Sequence, residues 1–249
     1  MDVQDAFRTT CRVLLQGQVG ELDDFKPYLM RYVENVAGVK SALSGKGVTI
    51  SSPEFSPGAK FISHVEMEEY NKRLRAVRLD LNSIKDIDSA VSALGEQLYY
   101  CGDIITGNSE AVETSDSCAN CMHVRHSNEL YDCKFMAYSS VLRYCENGFG
   151  SSGGGESKFM IKCFEVFQQM RCMETFRAYT CNDCYYSSNL ENCADCMFSF
   201  NQRARHYLIG NRSFSPPEYQ KLKTKLLEDI RTELVSKKSV PSIVDLVRD

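Results

Sequence analysis

Two Cys-x-x-Cys pairs, Cys181/Cys184 and Cys193/Cys196, stand eight residues apart in TCNDCYYSSNLENCADC. Four thiolates at such spacing can close around zinc in a tetrahedron. The sequence is nonetheless expected to need no cofactor, and zinc held by these four residues is the alternative. A redox role would need one pair at an exposed helix N-terminus, where the thiol pKa falls. His123 and His126 follow Cys121 in CMHVRHS, so a mixed site with Cys118 and Cys121 is a further arrangement to test.

The elements that must position these residues follow from their spacing. Ten of the twelve cysteines lie after residue 108: Cys118, Cys121, Cys133, Cys145, Cys163, Cys172, Cys181, Cys184, Cys193 and Cys196. All ten differ by multiples of three. Random placement would give this roughly once in twenty thousand sequences, which is the signature of a repeat.

Rows of twelve from Ser109 show the period directly. The first column reads Ser109, Cys121, Cys133, Cys145, Ser157, Gln169, Cys181, Cys193. The fourth reads Val112, Val124, Met136, Gly148, Met160, Cys172, Cys184, Cys196. The seventh reads Ser115, Ser127, Ser139, Ser151, Cys163, Thr175, Ser187, Ser199. The tenth reads Cys118, Leu130, Leu142, Gly154, Val166, Ala178, Leu190, Gln202. An α-helix cannot hold a strict period of three, because 3.6 residues per turn drifts out of phase.

The pattern predicts an α+β protein built on a β-solenoid of about eight twelve-residue rungs over residues 109–204. Each rung has four short sides and one inward side chain per side. The serine column is expected to form an internal ladder, each hydroxyl bonding a neighbour above or below. Cysteine is also the right size for a narrow bore, and most rows carry their cysteine without a pair partner. Packed thiols therefore compete with zinc as the meaning of the pairs. Both histidines fall off the inward beat and are expected to face solvent. The segment Gly148–Gly155, GFGSSGGG, reads as a flat turn or bulge, since it lacks the Lys-Ser/Thr end and following helix of a phosphate loop.

A solenoid needs its ends covered. Ser215-Pro216-Pro217-Glu218 is a capping box that opens a helix to about Lys237. Tyr219, Leu222, Leu226, Ile230 and Leu234 share one face, and Lys221, Lys223, Lys225, Glu228, Asp229, Arg231 and Glu233 make the other charged. Residues 205–249 thus read as a cap helix packed on the final rungs and an apolar tail, or else the helix binds a partner. Residues 1–108 read as an α-rich domain covering the first rung. Its helices are expected over Asp24–Val36, from the capping box Ser63–Glu66 to Val77, and over Ile84–Tyr100, with a strand at Lys46–Ile50.

Composition limits the function. The chain has 249 residues, 43% of them hydrophobic, and a net charge of −4. Such mild charge gives no signal for a nucleic-acid partner. No apolar run reaches the length of a membrane span, and no secretory leader is evident. The chain is expected in the cytoplasm, or in a virion assembled there. Four histidines, His64, His123, His126 and His206, are scattered, and acidic pairs such as Glu68/Glu69 lie on helical faces.

The segment ENCADCMFSFNQRARHYLIGN, with the Pro-opened Tyr/Leu/Lys helix after it, resembles an uncharacterised Cys-rich, β-solenoid-like repeat family of viral, archaeal and candidate-phylum proteins. The resemblance covers about residues 180–235. It implies no activity and no site residues, but it implies a viral or large-assembly setting. The expected function is a non-enzymatic scaffold whose partners are proteins of an assembly, further copies of the chain among them. The alternatives are a zinc-binding module and an enzyme working on a lateral face.

Overall fold

A computed structural model of the chain describes all residues except 52–57, 78–81, 83, 96, 155–157, 163, 167–170, 176–180 and 247–249, and leaves aside the side chains of Phe159, Phe164, Glu165, Val166, Cys172 and Cys181. Of the four columns, Ser157, Cys163, Gln169 and Ala178 thus lie outside the described residues, as does residue 155 of the glycine segment.

The architecture is α+β, a β-solenoid of about seven turns with helices at its N-terminus and one long C-terminal helix. Parallel pairs step by twelve residues: Glu110 pairs with Met122, Met122 with Lys134, and Met136 with Gly148. The step continues through Cys172 with Cys184, Cys184 with Cys196, and Cys196 with Leu208. The glycine segment keeps this register, as strands Asn147–Phe149 and Ser152–Gly154.

The corners have a single cause. Along the rungs nearly every third residue sits in the left-handed region, as at Asn120 (φ 54°), His123 (φ 55°), His126 (φ 48°) and Glu129 (φ 52°). Each precedes an inward residue, so the backbone turns once per side and a rung closes as a square. Left-handed backbone costs an L-residue roughly 1–2 kcal/mol. The stack compensates through the bonds it makes between rungs.

Inside the bore, Cys118, Cys121, Val124, Leu130, Cys133, Met136, Leu142, Cys145 and Met160 form one apolar cluster. Cys184, Leu190, Cys193, Cys196 and Leu208 form another. Gly148 leaves room in the fourth column for the Met136 side chain, whose methyl would lie 2.1 Å from a Cβ there. The serine ladder differs from the expectation. Ser127 Oγ donates to its own strand at Arg125 O (3.0 Å) and accepts from Ser139 N of the next rung (3.1 Å). Ser139 repeats this with Ala137 O and Ser151 N, and Ser199 with Met197 O and Asn211 N. The hydroxyls therefore relay backbone to backbone rather than to each other, because corner N–H groups would otherwise be buried without partners.

Three of the helices lie along one flank of the stack. α1 (Val3–Leu15) packs on strands Met122–Arg125, Lys134–Ala137, Asn147–Phe149 and Phe159–Ile161, four successive rungs. Its thirteen residues measure about 20 Å, enough for four rungs at about 4.8 Å each. After the short α2 (Lys26–Leu29) and two helices of the N-terminal region, α3 (Met67–Ala76) and α4 (Ile87–Leu94), the chain reaches α5 (Pro216–Lys237) beyond the solenoid. α5 keeps the predicted capping box of Ser215 and Glu218. It runs back down the flank rather than across the end: Tyr219 meets Tyr207, Lys223 meets Asp195 and Asp183, and Arg231 donates to Leu15 O and Gln16 O.

Several expected elements change. The helix at Asp24–Val36 is broken into 3-10 turns at Leu22–Phe25 and Met30–Tyr32 around α2, with Pro27 in its first turn and extended backbone at Val33. This places Phe25, Tyr28 and Leu29 in the core instead of along a regular face. The helix at Ile84–Tyr100 shortens to α4, and Tyr100 enters a strand that pairs with Phe61. The capping box at Ser63 and Glu66 and the strand Gly47–Ile50 are present. The N-terminal region does not simply cover the first rung. Residues from Ser51 and Ile104 contact Asp116 there, whereas α1 and α2 lie on the flank.

The solenoid ends on side-chain amides. Asn211 Oδ1 accepts from Phe200 N (2.8 Å) and Gln202 Nε2 donates to Phe200 O (3.1 Å), standing in for the strand a further rung would supply. Among the described residues no helix is long and apolar enough to cross a membrane.

Candidate functional site

The register brings the two Cys-x-x-Cys pairs together as the spacing predicts: Cys181 opposite Cys193 and Cys184 opposite Cys196. Cys184, Cys193 and Cys196 are buried among Leu190 and Leu208. Their thiols are engaged with the backbone: Cys184 donates to Asn182 O (3.4 Å), Cys193 to Glu191 O (3.5 Å) and Cys196 to Ala194 O (3.4 Å). Cys118, Cys121, Cys133 and Cys145 make the same bond two residues back, so the thiols of both halves serve as weak wall-sealing donors. The Cys181 side chain lies outside the described residues. Among the described residues no three His, Cys, Asp or Glu side chains gather in a way that could hold a metal. Hydrogen bonding to Cys121 and burial hold the Cys118 thiol above its usual range.

His123 and His126 lie on the outer wall, away from the bore that holds Cys118 and Cys121. They are half-buried rather than free in solvent, since each stacks on the residue one rung above: His123 on Phe135 at 5.2 Å and His126 on Tyr138 at 5.5 Å.

The lateral flank does gather an acidic pair. Asp183 and Asp195 occupy the same corner on successive rungs, and Lys223 Nζ lies 3.7 Å from a carboxylate oxygen of each. The Lys223 ammonium also sits 5.2 Å from the Tyr185 ring. Lys223, which helical spacing assigned to the exposed charged face of α5, is therefore buried, and that face turns with it. The arrangement fastens α5 to the wall.

A second charged group is wholly enclosed. Lys162 and Glu174 stand one above the other at a corner where the neighbouring rungs carry Gly150 and Tyr186. Lys162 Nζ lies 2.8 Å from Glu174 Oε1, with both side chains 0% exposed. Tyr28 Oη donates to Glu174 Oε1 (2.9 Å), and the Lys162 ammonium lies 4.0 Å from the centre of the Tyr28 ring. Ile243 N donates to Glu174 Oε2 (2.7 Å), and Arg31 pairs with Asp245 (2.9 Å). Three distant parts of the chain thus meet on one carboxylate. Burial lowers the Lys162 pKa against the opposing pull of Glu174, and burial raises the Tyr28 and Tyr186 hydroxyls well above their usual range.

The two flanks differ in what covers them. On the helix-bearing flank, Ala137, Phe149, Ile161, Met173, Tyr185 and Met197 form an outward column that is buried under α1, α2 and α5. On the opposite flank, Tyr131, Val141 and Tyr144 remain 43%, 41% and 58% exposed. Glu129, Tyr131, Val141 and Arg143 line a concavity of about 490 Å³ there. Tyr131 and Tyr144 meet edge to face at 6.2 Å.

No protein-family model matches this chain, and no curated protein matches it.

Spacing by three finds the inward columns but overlooks the outward ones. The buried column Ala137–Met197 recurs every twelve residues as well, and that recurrence is its sequence signal. Lys162 and Glu174 are also twelve apart, opposite charges in a column that otherwise reads Thr114, His126, Tyr138, Gly150, Tyr186, Phe198 and Gly210. Only the helix packing explains why both are buried.

Proposed function

We propose that this chain is a non-enzymatic scaffold, a component of a virion or other large assembly put together in the cytoplasm. It would offer protein partners a rigid, regularly spaced flank. One observation carries this reading: the molecule seals one flank with its own helices and, among the described residues, leaves Tyr131, Val141 and Tyr144 of the other in the open. Tyrosine and arginine dominate the energetics of protein interfaces, and an exposed apolar patch commonly marks one. The inward columns support the same reading, because their polar groups are occupied in holding rungs together. The resemblance of residues 180–235 to a Cys-rich repeat family of viral, archaeal and candidate-phylum proteins is in keeping with an assembly setting.

A photo-crosslinking amino acid placed singly at Tyr131, Tyr144 and Asn201 in the producing cell tests this. Protein adducts at one or more of these positions are expected. If all three positions give no protein adduct, the scaffold reading fails.

A further inference from the structure

A repeat protein contains its own controls, because equivalent positions on different rungs face the same structural demands. On the uncovered flank the late rungs satisfy themselves. Asn189 Nδ2 donates to Asn201 Oδ1 (3.0 Å), and Arg203 pairs with Glu191 (3.1 Å). The same two columns on the early rungs carry Ser117, Glu129 and Val141, and Ala119, Tyr131 and Arg143. The fold requires nothing apolar here, as the late rungs demonstrate.

Val141 sharpens the contrast. It sits in the left-handed region (φ 55°), where a β-branched residue is a genuine outlier. Equivalent positions carry Asn189 (φ 53°), Asn201 (φ 56°) and Gly153 (φ 69°), which tolerate that backbone far better. Its side chain is 41% exposed, so core packing does not account for it. An unfavourable residue kept on an open surface points to contact with something else.

Charge indicates the occupant. Glu129 and Tyr131 lie side by side on one rung, with Val141 and Arg143 directly above them. The four make a small grid in which Glu129 and Arg143 hold opposite corners. A two-fold axis along the Tyr131–Val141 diagonal brings Glu129 of one copy onto Arg143 of the other, twice. It also lays Tyr131 on Tyr131 and Val141 on Val141. This is the self-complementarity an isologous interface requires.

We propose that the early-rung flank is a homodimer interface, with a second copy of this chain as its partner through crossed solenoids. The inference rests on the scaffold reading and names the partner of that bare flank.

Sedimentation equilibrium on the full chain tests it, with charge reversals at the two corners. Wild-type protein is expected to dimerise at tens of micromolar or below. Glu129→Arg and Arg143→Glu should each weaken the dimer at least about tenfold, since each sets like charges against one another. The double variant E129R/R143E should return to within about threefold of wild type, because the swap restores both pairs. Asn201→Arg on the late rungs should leave association unchanged. A wild-type chain that stays monomeric at about 100 µM, or a dimer that either single reversal leaves intact, overturns the proposal. Thermal melts of all variants confirm folding. Self-pairing can fail in this way while crosslinks from Tyr131 or Tyr144 to a different protein keep the scaffold reading standing.

Discussion

Glu174 accepts from Ile243 N at 2.7 Å while its other oxygen takes Tyr28 Oη and lies 2.8 Å from Lys162 Nζ. One buried carboxylate therefore ties the C-terminal tail, the N-terminal region and the solenoid wall. Removing one member of such a pair strands the other charge, at a cost of about 3–5 kcal/mol. Lys162→Met should lower stability by that order in urea unfolding. Glu174→Ala should do the same and also release the tail, seen as fast amide exchange at residues 240–245. Intact protection of the tail in Glu174→Ala would show that Val240 and Ile243 hold it unaided.

The serine relay makes a sharper prediction for the bore. Ser139→Ala leaves Ser151 N without its partner inside the wall, while Ala137 O still accepts from Gly150 N (3.1 Å). An unsatisfied buried group costs about 1–3 kcal/mol. Ser109→Ala removes the same relay between Thr106 O and Cys121 N at the open first rung, where water can substitute. Ser139→Ala should therefore be clearly the more damaging by chemical denaturation, and equal effects would refute the relay.

Gly150 and Gly210 share a column and the left-handed region, at φ 69° and 58°. Their surroundings differ. A Cβ on Gly150 would lie 2.7 Å from Leu29 O, whereas one on Gly210 meets nothing within 4 Å. Gly210→Asn should leave the melting temperature within a few degrees, and Gly150→Asn should lower it by about ten degrees or prevent folding. This pair measures how tightly α2 presses on the wall.

The thiols should report the packed bore. Burial pushes the Cys11 pKa up to about 12. Cys118, Cys121, Cys133, Cys145, Cys184, Cys193 and Cys196 are buried as well, and Cys101 is half-exposed. Of these nine, Cys101 should react first with a thiol reagent, slowly at pH 8 because burial and the nearby Asp116 and Asp103 hold its thiol above the usual range, and the rest only on unfolding. Anaerobically purified protein should carry no stoichiometric zinc by mass spectrometry, and chelator should leave its melting curve unchanged. One zinc per chain would instead make Cys181, Cys184, Cys193 and Cys196 a metal centre.

The repeat was legible because a bore this narrow admits few residue types, so Cys121, Cys133 and Cys145 recur without a shift. The corner conformation was harder to see. Phe135 and Tyr138 adopt left-handed backbone that their types disfavour, and each stacks on the ring one rung below. α1 was missed, although Ala6, Phe7, Thr10, Cys11, Leu14 and Leu15 recur at helical spacing and are its buried face. The buried face of α5 was misjudged at Lys223 because its partners, Asp183 and Asp195, belong to a distant part of the chain. A twelve-residue rung with an inward residue at every third position gives cysteines the same spacing that a zinc site would use, so that spacing serves both readings of the pairs.

The twenty-two residues of α5 span about 33 Å, close to the height of about seven stacked rungs. Helix and stack thus act as two gauges of a single length. A relative of this protein could not gain or lose a row freely. Each row of twelve residues added would demand about three more in the helix, and three residues turn a helix by about 300°, leaving its contact stripe out of line. Insertions and deletions should accumulate instead in the connections outside the stack, and the number of rows should be among the slowest features of the protein to change.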